Sequence, residues 1–241
     1  MSEVKQTSTQ SALDSRPRVD IYQNIHKALR ACMCDTLVRV GALDGADAQD
    51  VAAAIKQVRE LVEFCRSHLS HENEFVHTAM EARRPGSSTA IADEHAHHLA
   101  ACERISALAG LVEQTSGAER TARTEDLYRY LALFAAENMV HMNLEETENN
   151  MVLWATHSDA ELIALEQAIV ASLSPQEKAF DMRWVIPALP ADERTQLLLA
   201  IRPGMPAAAF DGILQIVQPH LGARDWDKLT NALQSAALKA A

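Results

Sequence analysis

The chain has 241 residues, 48% of them hydrophobic but only 5% aromatic, with 8 Gly and 8 Pro. Alanine, at about one residue in six, joins Leu, Glu, Gln and Arg as strong helix formers, which argues against a sheet-rich, collagen-like or disordered chain. The net charge of −11, with no Lys/Arg run beyond Arg83-Arg84, argues against a nucleic-acid partner, which requires a clustered positive surface.

Residues 1–18 lack an apolar core and read as a flexible polar leader, not a signal peptide. Four long helices should follow. The first runs from about Asp20 to Val40 and breaks at the Gly- and Asp-rich stretch 41–50. The second spans about Asp50–Ala82 and stops at RRPGSS. The third spans about Thr89–Gln114 and closes at Thr115-Ser116-Gly117. The fourth spans about Thr124–Thr156. Short loops between long helices favour antiparallel neighbours, hence an all-α, up-down four-helix bundle over 19–157.

Ser158-Asp159 caps a further helix reaching about Leu173. Ser174-Pro175-Gln176-Glu177 is a capping box with Pro at the first helical position. The helix it starts should end near Pro187, and three more should cover 190–202, 206–221 and 224–238. Residues 158–241 thus form a C-terminal extension, the helix to Leu173 followed by about four short helices, whose role and packing stay open. Those helices could also carry a protein partner or a homodimer contact. No apolar stretch approaches the ~20 residues of a membrane span. The four cysteines (Cys32, Cys34, Cys65, Cys102) show no zinc-site spacing, and without an export signal they fit reduced thiols in a cytoplasm.

The histidines carry the first chemical signal. Of 10, eight lie between His26 and His141. On the second helix the inward stripe is Leu61, Cys65, His68, Glu72, Phe75, Ala79, so His68 and Glu72 share the buried face one turn apart. Burying a carboxylate costs several kcal/mol unless it is paired or bound to metal. The fourth helix repeats the arrangement with Phe134, Asn138, His141, Glu145, Glu148, Val152. The first helix offers Tyr22, His26, Leu29, Met33, Leu37. The third offers Ile91, His95, His98, Cys102, Ile105. Four imidazoles and two carboxylates at one level of a core fit two metal ions, each Glu bridging or capping and each His giving one nitrogen. The order His, HxxxE, His, HxxxE reads as a duplicated two-helix unit. Cys65 and Cys102 read as small buried hydrophobes, with oxidation by peroxide formed at the metals as the alternative. Tyr22, one turn before His26, could donate a hydrogen bond to a bound oxygen species.

The segments IHKALR, HLSHENE, DEHAHH and HMNLEETENNMVLW resemble the hemerythrin-like, or HHE cation-binding, domain over about residues 20–157. The resemblance implies a non-haem di-iron centre: two iron ions, open to an oxo or hydroxo bridge. Glu72 and Glu145 would be the bridging ligands, and His26, His68, His95 and His141 the terminal ones. It also departs from the oxygen-carrying members, which have HxxxH on the third helix. Here Leu99 stands four residues after His95. Either His98 substitutes, or one iron lacks a ligand and keeps an open position suited to reactive or sensing chemistry. Glu146 is the alternative to Glu145, and His71, next to Glu72, is a further candidate. The rival ferritin-like pairs Glu74–His77 and Glu94–His97 fall off the buried stripes, so His77 and His97 should face solvent or the outer layer of the site.

The leading expectation is a cytoplasmic di-iron protein that binds or senses O2, NO or peroxide. The alternatives are a ferroxidase, peroxidase or oxidase using the same site, and a metal-free helical interaction module.

Overall fold

The computed structural model describes residues 18–240, so the leader expected over 1–18 lies outside the described residues except for Arg18. That arginine is tied down: its guanidinium donates to the Asp159 carboxylate and to the carbonyls of Trp154 and His157.

The first helix, α1, is Gln23–Gly41 and the second, α2, is Ala48–His71. The α2 axis continues through a wide π-helical turn, Glu72–His77, into α3, Thr78–Arg83. Next come α4, Thr89–Gln114, and α5, Gly117–Leu144. A second π turn, Glu145–Asn149, carries α5 into α6, Asn150–Thr156. The remaining helices are α7 (Asp159–Ser172), α8 (Pro175–Ala188), α9 (Ala191–Ile201), α10 (Ala207–Val217) and α11 (Ala223–Ala240). There is no strand among the described residues, and none of their helices is long and apolar enough to cross a membrane.

Local chemistry explains most boundaries. The Asp47 carboxylate accepts from the backbone N–H groups of Gln49 and Asp50 and opens α2. Ser158 and Ser174 each form a reciprocal capping box, with Glu161 and Glu177. At the α3–α4 turn Gly86 adopts a φ of +85°, which a side chain would strain, and the Glu81 carboxylate accepts from the backbone of Gly86 and Ser88. The fourth long helix starts at Gly117, seven residues before the expected Thr124. The first turns of α5 are charged and exposed, and the buried stripe starts only at Leu127, so hydrophobic periodicity cannot register them.

In the bundle, α1 lies against α2 and α5, and α4 closes the ring by packing on the same two helices. Its core includes Leu29, Met33, Ile55, Leu61, Ile105, Leu131 and Phe134. The C-terminal region is joined through α8, which packs along α1. Val185 of α8 and its C-cap residue Leu189 enter the bundle core, while the intervening Ile186 enters a second core with Leu198, Phe210, Val217, Leu229 and Leu233. A third cluster, Tyr22, Val76, Met80, Leu153 and Leu162, seals the bundle end where α7 sits on the first π turn.

The π turns correct two stripes. Phe75 and Ala79 were expected inward after Glu72, but Val76 and Met80 take those places. Glu148 and Val152 were expected inward after Glu145, but Asn149 and Leu153 are buried instead, and Glu148 is exposed. A π turn inserts one extra residue into the helix, so every inward position beyond it moves on by one.

Two predictions follow from this packing. Leu153→Ala should cost about 2–5 kcal/mol in chemical denaturation, and Val152→Ala about 1 kcal/mol or less, the opposite of an uninterrupted α-helical register. Burial, reinforced by the charge of Glu177, pushes the Asp181 carboxylate on α8 up to about 7. Stability from that group is complete below its unfolded pKa near 4 and is lost as pH rises through 7. Asp181→Asn should therefore raise the melting temperature by a few degrees at pH 8 and by less at pH 5.

Candidate metal centre

Both HxxxE pairs stand where an α-helix opens into a π turn. His68 and His141 occupy the last α-helical turn of α2 and α5, and Glu72 and Glu145 are the first residues of the π segments. From α1 and α4, His26 and His95 enter at the same level. All six side chains meet in the bundle interior, with Glu145 at 0% and Glu72 at 4% exposure.

Their atoms separate into two sets. On one side, His26 Nε2 lies 3.6 Å from Glu72 Oε1 and 3.4 Å from Glu145 Oε2, and His68 Nε2 lies 3.2 Å from Glu72 Oε1. On the other, His95 Nε2 lies 3.6 Å from Glu72 Oε2 and 3.3 Å from Glu145 Oε1, and His141 Nε2 lies 3.4 Å from Glu145 Oε1. Each carboxylate thus gives one oxygen to each pair of imidazoles. Two donors about 2.1 Å from one cation and about 90–109° apart stand roughly 3.0–3.4 Å from each other; four of the six spacings fall in that range, and the two of 3.6 Å lie just beyond it. The ring nitrogens of His26, His68 and His141 that face inward, both oxygens of Glu72 and Glu145 Oε2 have no hydrogen-bond partner among the described residues. Buried polar atoms left this way are costly, and a cation in each set would satisfy them. The residues His26, His68, Glu72, Glu145 and the residues Glu72, His95, His141, Glu145 each form a group able to hold a metal ion.

The electrostatics divide the imidazoles: burial opposes protonation of His26 and His141, but the surrounding carboxylates outweigh it and raise both to about 9, so these two rings must give up a proton to ligate a cation. Burial and the charge of Glu145 push Glu72 up to about 7. Burial also opposes ionisation of Glu145, yet the His141 and His95 rings packed against it outweigh that and hold the carboxyl well below its usual range. Burial and the neighbouring positive charge of His26 drive His68 well below its usual value, which leaves its ring neutral, the form that ligates a metal.

The outward nitrogens are also held. His26 Nδ1 lies 3.1 Å from Glu146 Oε1, whose carboxylate is gripped by Arg30 at 2.6 and 2.9 Å. His95 Nδ1 lies 2.8 Å from Asn73 Oδ1, and His141 Nδ1 lies 2.7 Å from Glu94 Oε2. Such partners set the tautomer and aim the inner nitrogen at the shared carboxylates. Glu146 therefore stands behind His26, and Glu145 takes the inward place. Tyr22 is fully buried beside His26, with ring centroids 5.1 Å apart, and Asn149 donates to its hydroxyl at 3.3 Å. Burial and the charges of Glu145 and Glu72 raise its pKa well above the usual value, so the phenol keeps its proton.

The other candidates separate clearly. His98 is buried but outside both four-residue groups. It shares a 3.2 Å contact with Asn138 and meets His141 edge-on at 4.7 Å, and with Glu94 and His141 it forms a third, outer group. His97 is exposed, as its position off the buried stripe implied, and His71 is half-buried near Ser67. His77 takes the second of its two expected places, the outer layer: it is buried, stacks on His95 at 4.8 Å, and its Nε2 has no hydrogen-bond partner among the described residues. The extra residue in the first π turn brings it inward, and helical periodicity carries no sign of that. Asn73, Glu94 and Asn138 were not singled out as contacts of the ligand layer either, because each pairing crosses between helices. Cys65 and Cys102 are buried neighbours, one on α2 and one on α4.

A four-helix bundle whose core joins two imidazole pairs through shared carboxylates is a cation-binding bundle. The Hemerythrin HHE cation binding domain family matches residues 18–152, more than half of the chain, and the chain belongs to that family. No curated protein and no solved structure matches it.

Because the outer partners orient the ligands, Glu94→Ala and Asn73→Ala should each lower affinity for a divalent cation by about 10–100-fold. The number of ions bound at saturation should stay the same. Competitive titration against a chromogenic chelator measures both.

Proposed function

We propose that this chain is a non-haem di-iron protein that binds or senses O2, NO or peroxide. The observation that carries this reading is the division of each carboxylate between two imidazole pairs. His26 and His68 would hold one iron, His95 and His141 the other, with Glu72 and Glu145 bridging them. His and carboxylate donors suit several divalent metals, and iron is favoured by the family. Each group offers four protein side chains, and reduced iron held by them would supply binding of a small diatomic or peroxide ligand.

The chain's own side chains do the rest. Arg30, Glu146, Asn73 and Glu94 fix the imidazole orientations. The Tyr22 hydroxyl remains a proton donor next to His26 and both carboxylates. Apolar side chains of the bundle core keep bulk water from the site.

One feature favours the enzymatic alternative, an oxidase or peroxidase. A cavity of ≈ 180 Å³ reaches His68 and Glu72 and is larger than a diatomic ligand requires. Ligand binding alone predicts one oxidation event per reduced centre, and an enzyme predicts many.

Elemental analysis should find about two iron per chain. Adding O2, NO or peroxide to the reduced protein should produce a new charge-transfer band. The double variant His68→Ala/His141→Ala should lose both the iron and the band while keeping its helical circular dichroism. A folded wild-type chain that takes up no iron would overturn the reading.

A further inference from the structure

The ≈ 180 Å³ cavity lies between the bundle and the C-terminal region, and it takes its walls from both. Its floor comes from α1, α2 and the first π turn and includes Tyr22, His68 and Glu72. Its roof comes from α7 and α8, which lie beyond the family-matched residues. Most of the wall is apolar, with Ile25, Phe64, Ile169, Leu173, Met182 and Val185 among the contributors. A cavity of about 150 Å³ lined by such side chains accepts benzene, so this one has room for a single ring with a short substituent.

The polar groups are unevenly distributed. The roof carries two half-buried carboxylates, Glu166 and Asp181, and neither has a hydrogen bond or ion pair among the described residues. Lys178 is the one lysine on the wall, against three carboxylates counting Glu72. Burial raises the pKa of both roof acids, a penalty that a bound cation would relieve. An apolar chamber with acids on one side calls for a ligand with an apolar body and a positively charged head.

We propose that this cavity is a binding site for a small organic amine with a ring-sized apolar body, its ammonium group held by Asp181 and Glu166. A ligand of this size anchored on the roof lies against the floor formed by Tyr22, His68 and Glu72. The C-terminal helices thereby place an organic molecule beside the candidate metal centre. This deepens the enzymatic alternative by naming a substrate class, but occupancy of the cavity does not itself require iron.

The test is isothermal titration of the full-length chain, as purified, with benzylamine, and with benzyl alcohol and benzoate as controls. Metal content is measured on the same samples. Benzylamine should bind at one site per chain, with benzyl alcohol and benzoate at least tenfold weaker. Asp181→Asn should weaken benzylamine binding at least tenfold. Leu173→Trp, which fills the cavity, should abolish it, with iron content unchanged in both variants. Where iron is bound, benzylamine should also shift the optical spectrum of the centre. Lack of benzylamine binding to folded wild-type chain overturns the proposal, as does binding untouched by both variants or a preference for benzoate. Benzylamine binding to a chain that takes up no iron would sink the di-iron reading and leave the amine site standing.

Discussion

Two carboxylates and four imidazoles are buried at one level of a helical bundle, and that constraint shapes the rest of the molecule. A buried carboxylate pair repels itself and loses hydration, a penalty of several kcal/mol per charge when left uncompensated. Imidazoles alone do not remove it, since most of the inward atoms lack a hydrogen-bond partner among the described residues. Cations held by the two groups would resolve the conflict, and four of the six observed spacings suit that solution. Stability and function are therefore linked at one place: the groups that would ligate metal are those the apolar core cannot accommodate by itself.

The two π turns belong to the same solution. Each begins at one of the two buried glutamates, Glu72 and Glu145. A wider turn there shifts the following residues by one position, so the helices keep an apolar inward face beyond the site. On one side this brings Val76, His77 and Met80 inward. On the other it brings Asn149 and Leu153 inward, and Asn149 reaches the Tyr22 hydroxyl. The buried face thus changes register at the level of the His/Glu cluster without ending the helix.

The extension is built into the bundle, because α8 contributes alternately to the bundle core and to the C-terminal core. Consequently the cavity wall facing His68 and Glu72 is made in part by residues outside the family-matched segment. Chemistry common to the family is held by the bundle, while selectivity for a further ligand falls to α7 and α8. Their carboxylates lie too far along the chain from the HxxxE pairs for any spacing rule to connect them.

Much was legible from sequence because it depends on local periodicity. The helical class, the capping boxes at Ser158 and Ser174, and the inward faces of His26, His68, Glu72, His95, His141 and Glu145 follow from spacings of three and four residues, which hold within one helix. Tertiary structure alone decided what depends on contacts between helices. It assigned each carboxylate oxygen to an imidazole pair, set Glu146 behind His26, drew in His77 through a π turn, and closed a cavity with Glu166 and Asp181. Such outcomes arise from distances of a few ångströms between segments far apart in the chain, and no local pattern of amino acids encodes them.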